Sequence, residues 1–184
     1  MLKMFETLRQ RTCIYIKREV LIVRIRDIMT EPVIACSPDT NLAAAAAIMW
    51  NEDCGVLPVV EDGKLTGILT DRDICIALGT RGVPAPSIAV RDVAMKDVET
   101  CAPESDVHSA MHTMRRAKVR RLPVVDDQGQ LKGLIGLNDI ILAADRKGGP
   151  VDYEEVMNTV KAVSEHRHHK PMATSGKTAI AAVA

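Results

Sequence analysis

The chain repeats itself, and the register of that repeat restricts what it can fold into more than any other feature. Leu57-Pro58-Val59-Val60 returns as Leu122-Pro123-Val124-Val125, an offset of 65 (123 − 58). Cys36-Ser37-Pro38 returns at the same offset as Cys101-Ala102-Pro103, Thr40 matches Ser105, and Leu42, Ala45, Ala46 and Met49 match Val107, Ala110, Met111 and Met114. One inserted residue, Gln128, lengthens the offset to 66, which relates Gly67 to Gly133 and Asp73 to Asp139. A unit of roughly 60 residues buries too little surface to be comfortable alone. A copy of itself is the natural partner, so one supersecondary unit used twice is expected.

Each copy reads the same way. Val33 to Cys36 is a short β run ended by Pro38, and Thr40 is the expected N-cap of a helix whose apolar face is Leu42, Ala45, Ala46 and Met49. Val56 to Val60 is a strand, Asp62-Gly63 a hairpin turn, Leu65 to Leu69 the returning strand, and Asp71 to Leu78 a second helix. The order is β-α-β-β-α, twice: an α/β (α+β) chain with units at 24–80 and 91–145. Residues 81–90 link them, at the end of a stretch, Gly79 to Ser87, that holds two glycines and two prolines. The alanines 43–47 signal helix propensity and close helix approach. After Lys147-Gly148-Gly149-Pro150, residues 146–184 read as a short helix and a disordered tail. Asp152 and Glu155 are spaced as a capping box, Val156, Val160 and Val163 share a face, and the tail starts at His166. Charges interrupt the apolar residues of the extension 1–23, so no signal-peptide core forms there.

Composition narrows the function. Lys plus Arg and Asp plus Glu balance at 24 each, so no net field draws in nucleic acid or an anionic membrane, and no run reaches transmembrane length. The five cysteines are scattered and never form C-x-x-C, which argues against a disulfide framework or zinc finger and fits the cytoplasm. His108 and His112 share a helix face without a third ligand, and His166, His168 and His169 lie in the tail, so no metal site is expected. No nucleophile, base and orienting group belong together, so no catalytic residue is assigned.

Three strings carry a family resemblance: Ser37-Pro38-Asp39-Thr40, the two Leu-Pro-Val-Val strands, and Gly67-Ile68-Leu69-Thr70-Asp71-Arg72-Asp73, which fits the signature G-h-x-[ST]-x-x-D. Over residues 24–145 the chain resembles a tandem pair of CBS domains, and Leu69 to Ile74 is similar to small stand-alone bacterial CBS proteins associated with stress and hypoxia. The resemblance implies two units packed about a pseudo-twofold and a cleft for an adenine nucleotide or related adenosyl ligand (AMP, ADP, ATP, NAD or S-adenosylmethionine), with no obligatory cofactor. It also implies a homodimer and, with no effector domain attached, output through an unidentified effector protein. Its pattern assigns Thr70, Arg72, Asp73, Lys96, Thr100, Val119, Arg120 and Arg121 to a first cleft. To a second it assigns Thr30, Val33, Ala35, Cys54, Gly55, Val56, Gly136, Asn138 and Asp139.

The chemistry of those residues suits a nucleotide. A carboxylate such as Asp73 accepts from two ribose hydroxyls, while Thr70 and the amides of a helix start donate to phosphate. The plainer role for Asp73 is a favourable charge at a helix N-terminus. Gly136 stands where the pattern has Ser or Thr, so the clefts are expected to differ. Within the basic cluster, Arg115 and Arg116 read as a solvated helix end, and Arg120 and Arg121 as phosphate ligands. The expected function is a non-enzymatic regulatory sensor; the alternative is a structural or protein-interaction module with vestigial clefts.

Overall fold

The computed structural model describes residues 22–144 and 151–165. The repeat becomes two similar halves. The first has α1 (Leu42–Asn51), the hairpin β1 (Val56–Glu61) and β2 (Lys64–Thr70), and α2 (Asp71–Arg81). The second has α3 (Val107–Ala117), β3 (Arg121–Val125), β4 (Leu131–Gly136) and α4 (Leu137–Ala143), followed by α5 (Tyr153–Ser164). The mixed α/β class is as expected. Asp62 and Gly63 turn the first hairpin with φ of 52° and 79°, the backbone that a two-residue turn between twisted strands demands. From each leading β run a single residue joins the sheet: Cys36 pairs in parallel with Val59, and Cys101 with Val124.

Two local expectations are corrected. The N-cap of α1 is Asn41, whose side chain accepts from the Ala44 amide at 2.9 Å; Thr40 belongs to the preceding turn, its own amide held by the Ser37 carbonyl. Asp106, the copy of Asn41, caps α3 through the Ser109 amide at 2.7 Å. The capping box expected at α5 does not form: Asp152 makes no side-chain cap, and the Glu155 carboxylate, which would reach back to the Asp152 amide, is taken by His108 and Arg115. The extension 1–21 and the tail from His166 lie outside the described residues.

The halves exchange their leading segments. Ile25, which opens the first repeat, is fully buried in the core built by Val107, Met111, Met114, Leu122, Ile135 and Ile140 of the second. Ile88 and Val90, at the end of the stretch read as a linker, are buried with Leu42, Leu57, Leu69 and Ile74 of the first. The contacts fixing the exchange come in equivalent pairs. Thr30 bridges to Leu134 and Met95 to Ile68, Arg24 to Asp106 and Ala89 to Asn41. The ion pair Arg26–Glu104 has its copy in Arg91–Asp39. Lys64 and Gln130 are the same position in the two copies (130 − 64 = 66), and they pair with each other. A residue can face its own copy only at a symmetry axis, so a pseudo-twofold passes between them.

Candidate ligand cleft

Each signature sits where a returning strand becomes a helix. Thr70 ends β2 and caps α2: its hydroxyl accepts from the Asp73 amide at 3.2 Å, while its own N–H and O–H donate to Asp73 Oδ2 at 3.0 and 2.6 Å. A reciprocal capping box therefore holds one carboxylate oxygen. Asp73 Oδ1 accepts no hydrogen bond among the described residues and remains available to a donor.

The second signature keeps the backbone and loses the hydroxyl. Gly136 has φ −108° and ψ 159°, close to the −114° and 159° of Thr70, and its N–H donates to Asp139 Oδ2 at 2.7 Å. This φ is open to any residue. A β-carbon there would lie 3.3 Å from Asp139 Oδ2 and 3.8 Å from Arg121 Cγ, close but tolerable.

The signature glycine has a different reason. A β-carbon on Gly67 would lie 2.9 Å from the Met95 carbonyl, and on Gly133 it would strike the Met29 side chain. Met29 and Met95 are neighbouring positions of the exchanged segments: Met29 is the copy of Ala94, which also approaches Gly67, and Met95 is the copy of Thr30. The glycine lets the other repeat's leading chain close against the strand.

The hairpins regroup several expected site residues. Arg121 pairs with Gly136, and the Arg120 carbonyl accepts from the Leu137 amide at 2.9 Å. Both arginines, and Val119 before them, thus stand beside the glycine signature, where the sequence pattern sets them with Thr70. Cys54, Gly55 and Val56 move the opposite way: Val56 pairs with Thr70, and the Gly55 carbonyl accepts from the Asp71 amide at 3.2 Å. The cause is antiparallel register, which brings the first residue of the outgoing strand opposite the last of the returning one in the same half.

Other expected residues come together across the halves. Thr30 hydrogen-bonds Leu134 on β4, keeping it with the second signature. Lys96 and Thr100 line a cavity of about 190 Å³ together with Val98 and Val125 of their own repeat and Leu65, Thr66 and Gly67 of the first half. Val98 is the copy of Val33 and falls between Lys96 and Thr100 on one side of an extended segment, so the repeat register alone would have found it. Thr66 had no such signal; it lines this cavity and a neighbouring one of about 310 Å³ with Pro38, Arg91 and Lys96. Val33 and Ala35 are half-buried and Asn138 is exposed.

The cations divide into used and unused. Arg115 reaches Thr159 Oγ1 at 2.9 Å and Glu155, and Arg116 reaches Glu99 at 2.8 Å. Arg72, Lys96, Arg120 and Arg121 make no ion pair among the described residues. Those four stay free to meet an anion. Burial pushes the Cys36 thiol up to about 11 and the Cys101 thiol to about 12, so neither is a thiolate nucleophile near neutral pH. No cluster of metal-ligating side chains is found among the described residues.

The family model for the CBS domain matches residues 25–80 and again 90–146. The chain belongs to the CBS-domain family. The CBS domain-containing protein YhcV of Bacillus subtilis is 34% identical over 116 residues, 63% of this chain and 81% of the relative. Inosine-5'-monophosphate dehydrogenase of Thermoplasma acidophilum is 32% identical over 163 residues, 80% of this chain but 31% of that enzyme, and the match falls on its CBS region. Among solved structures, the CBS domain pair of protein MJ0100 in complex with 5'-methylthioadenosine and S-adenosyl-L-methionine superposes with a TM-score of 0.61 at 27% identity, over 66% of this chain and 95% of that one. Hypoxic Response Protein I with two coordinated zinc ions gives 0.60 at 30% identity, over 65% and 98%.

Proposed function

We propose that this CBS pair is a non-enzymatic regulatory sensor that takes an adenine nucleotide or adenosyl ligand (AMP, ADP, ATP, NAD or S-adenosylmethionine) between its halves. The observation that carries the reading is the set of uncommitted groups at the two signatures. Among the described residues Asp73 keeps one carboxylate oxygen unbonded, and Arg72, Lys96, Arg120 and Arg121 make no ion pair, while the neighbouring cations Arg115 and Arg116 are consumed in ion pairs. The MJ0100 pair, which holds two adenosyl compounds, supports the class of ligand. Asp73 accepts from a ribose, and the phosphates of a nucleotide run toward the unpaired cations. The module works in the cytoplasm as a homodimer, passes its signal to an effector protein and has a place in stress responses.

A thermal-shift panel of these ligands tests the reading. A ligand bound only to the folded state adds about 2.7 kcal/mol at a hundredfold excess over Kd, a rise of several degrees. Asp73→Ala should remove most of the response. Arg72→Ala, at the same signature, should weaken AMP by roughly ten- to a hundredfold, in line with one charge-assisted contact, and adenosine much less. A flat panel would instead favour a structural module with vestigial clefts, a reading that Gly136 supports for the second signature.

A further inference from the structure

Two cysteines of the first half have no cysteine at the matching places of the second. Cys54 and Cys75 line one groove of about 610 Å³ together with Met49, Ile74, Asp53 and Asp71. Their copies are Val119 and Ile141, so packing at both places is met by an ordinary apolar side chain. Cys36 and Cys101 differ: they copy each other, and burial holds both thiols neutral. The backbone brings Cys54 and Cys75 to one spot. Gly55, next to Cys54, offers its carbonyl to the Asp71 amide at 3.2 Å, and Val56 pairs with Thr70. Cys75 follows Asp71 by one turn of α2, about 5.4 Å along the axis. That is the scale of a disulfide, whose α-carbons stand roughly 4.4–6.8 Å apart. Cys75 is exposed and Cys54 half-buried, so a solute meets one thiol first while the other stays largely covered.

We infer that Cys54 and Cys75 are a redox pair, a modification site at which a peroxide converts two thiols of this chain into an intrachain disulfide. Asp53 and Asp71 are the charged residues of the groove, so an uncharged oxidant enters more readily than an anionic one such as glutathione disulfide. The Cys75 sulfur attacks the peroxide: the O–O bond breaks, an S–O bond forms, and one water leaves, giving a sulfenic acid. The Cys54 sulfur then attacks that sulfur, the S–O bond breaks, and a second water leaves. Two thiols give up two electrons and two protons, and the peroxide takes them to become two waters. The bridge ties the residues before β1 to α2, close to the Thr70–Asp73 capping box, and a thiol reductant reverses it.

The reduced full-length protein treated with hydrogen peroxide provides the test. Of the five cysteines, two should be lost to a thiol reagent under denaturing conditions, and the intact mass should fall by two hydrogens. Fragmentation of the unreduced chain should find Cys54 joined to Cys75, with Cys36 and Cys101 still thiols. A reductant should restore all five. Cys54→Ser and Cys75→Ser should each abolish the loss of two hydrogens. Should those variants fold poorly, phenylarsine oxide carries the same test on the unaltered protein. Its arsenic bridges only neighbouring thiols, with release of one water, so it should add once to the reduced protein and not at all after peroxide. A pair that stays reduced overturns the inference, and so does Cys75 driven to a sulfinic acid while Cys54 remains a thiol. A disulfide that joins Cys75 of two chains, or joins either residue to Cys13, overturns it as well.

Discussion

The difference between Thr70 and Gly136 is one hydroxyl, and its consequences can be measured separately from any ligand. Thr70 both gives and takes in its capping box, so Thr70→Ala should cost about 0.5–2 kcal/mol of stability, the usual range for a lost N-cap. Gly136 already has an extended backbone, and a serine there can donate to Asp139 as Thr70 does to Asp73. Gly136→Ser should therefore leave stability unchanged or raise it by about a few tenths of a kcal/mol, read from urea midpoints. A loss of more than 1 kcal/mol would mean that the 3.3 Å approach to Asp139 is not relieved. The cysteines give a second residue-scale prediction. Cys36 and Cys101 are the same position in the two repeats, and burial favours their neutral form in the folded chain. Both folded values are raised, so the folded state holds more protons than the unfolded one above the ordinary thiol value of 9.0. Their contribution is present below pH 9.0 and is lost as pH climbs toward about 11 and 12. At pH 8 a thiol reagent should modify exposed Cys75 quickly, half-buried Cys101 more slowly, and buried Cys36 only after unfolding.

At the scale of elements, the signature glycines and α5 matter most. Gly67→Ala forces a methyl group against a backbone carbonyl 2.9 Å away, so the exchanged strand at Met95 must move; a cost of about 1–3 kcal/mol is expected. Gly133→Ala meets the Met29 thioether, which can swing aside, and should cost less. Equal costs in denaturation would show that strand separation, and not the atom struck, sets the penalty. Helix α5 seals the second core. Met111→Ala removes a fully buried side chain beneath it and should destabilise by about 2–5 kcal/mol, whereas Ala46, the equivalent position in the first half, is exposed and should tolerate substitution within about 0.5 kcal/mol. The α1 face predicted from spacing as Leu42, Ala45, Ala46 and Met49 is accordingly buried at three positions of four. An i, i+4 pattern identifies a face, but only the neighbouring elements settle how much of it is covered.

For the whole molecule, the repeat determined the fold class, the hairpins, the helices and the place of both signatures before any coordinates. These depend on contacts within a few residues: alternation along a strand, Asp62-Gly63 at a turn, Thr70 and Asp73 three apart. The repeat register also contained the pseudo-twofold, visible afterwards in Lys64 against Gln130. What tertiary structure alone decided is where the two copies trade parts. Ile25 is near the first repeat in sequence and belongs to the core of the second, and Ile88 does the reverse. An apolar residue beside a repeat is attracted equally by either copy as far as sequence shows. The choice is made by burial and by backbone pairing across roughly 80 residues, as between Arg24 and Asp106. The same holds for the cations. Sequence position separates Arg115 and Arg116 at a helix end from Arg120 and Arg121 at a strand entry, but it reads the first two as solvated; the fold gives them to Glu155, Thr159 and Glu99, while Arg120 and Arg121 form no ion pair among the described residues. A side chain's sequence position specifies its charge, and the fold specifies whether that charge already has a partner.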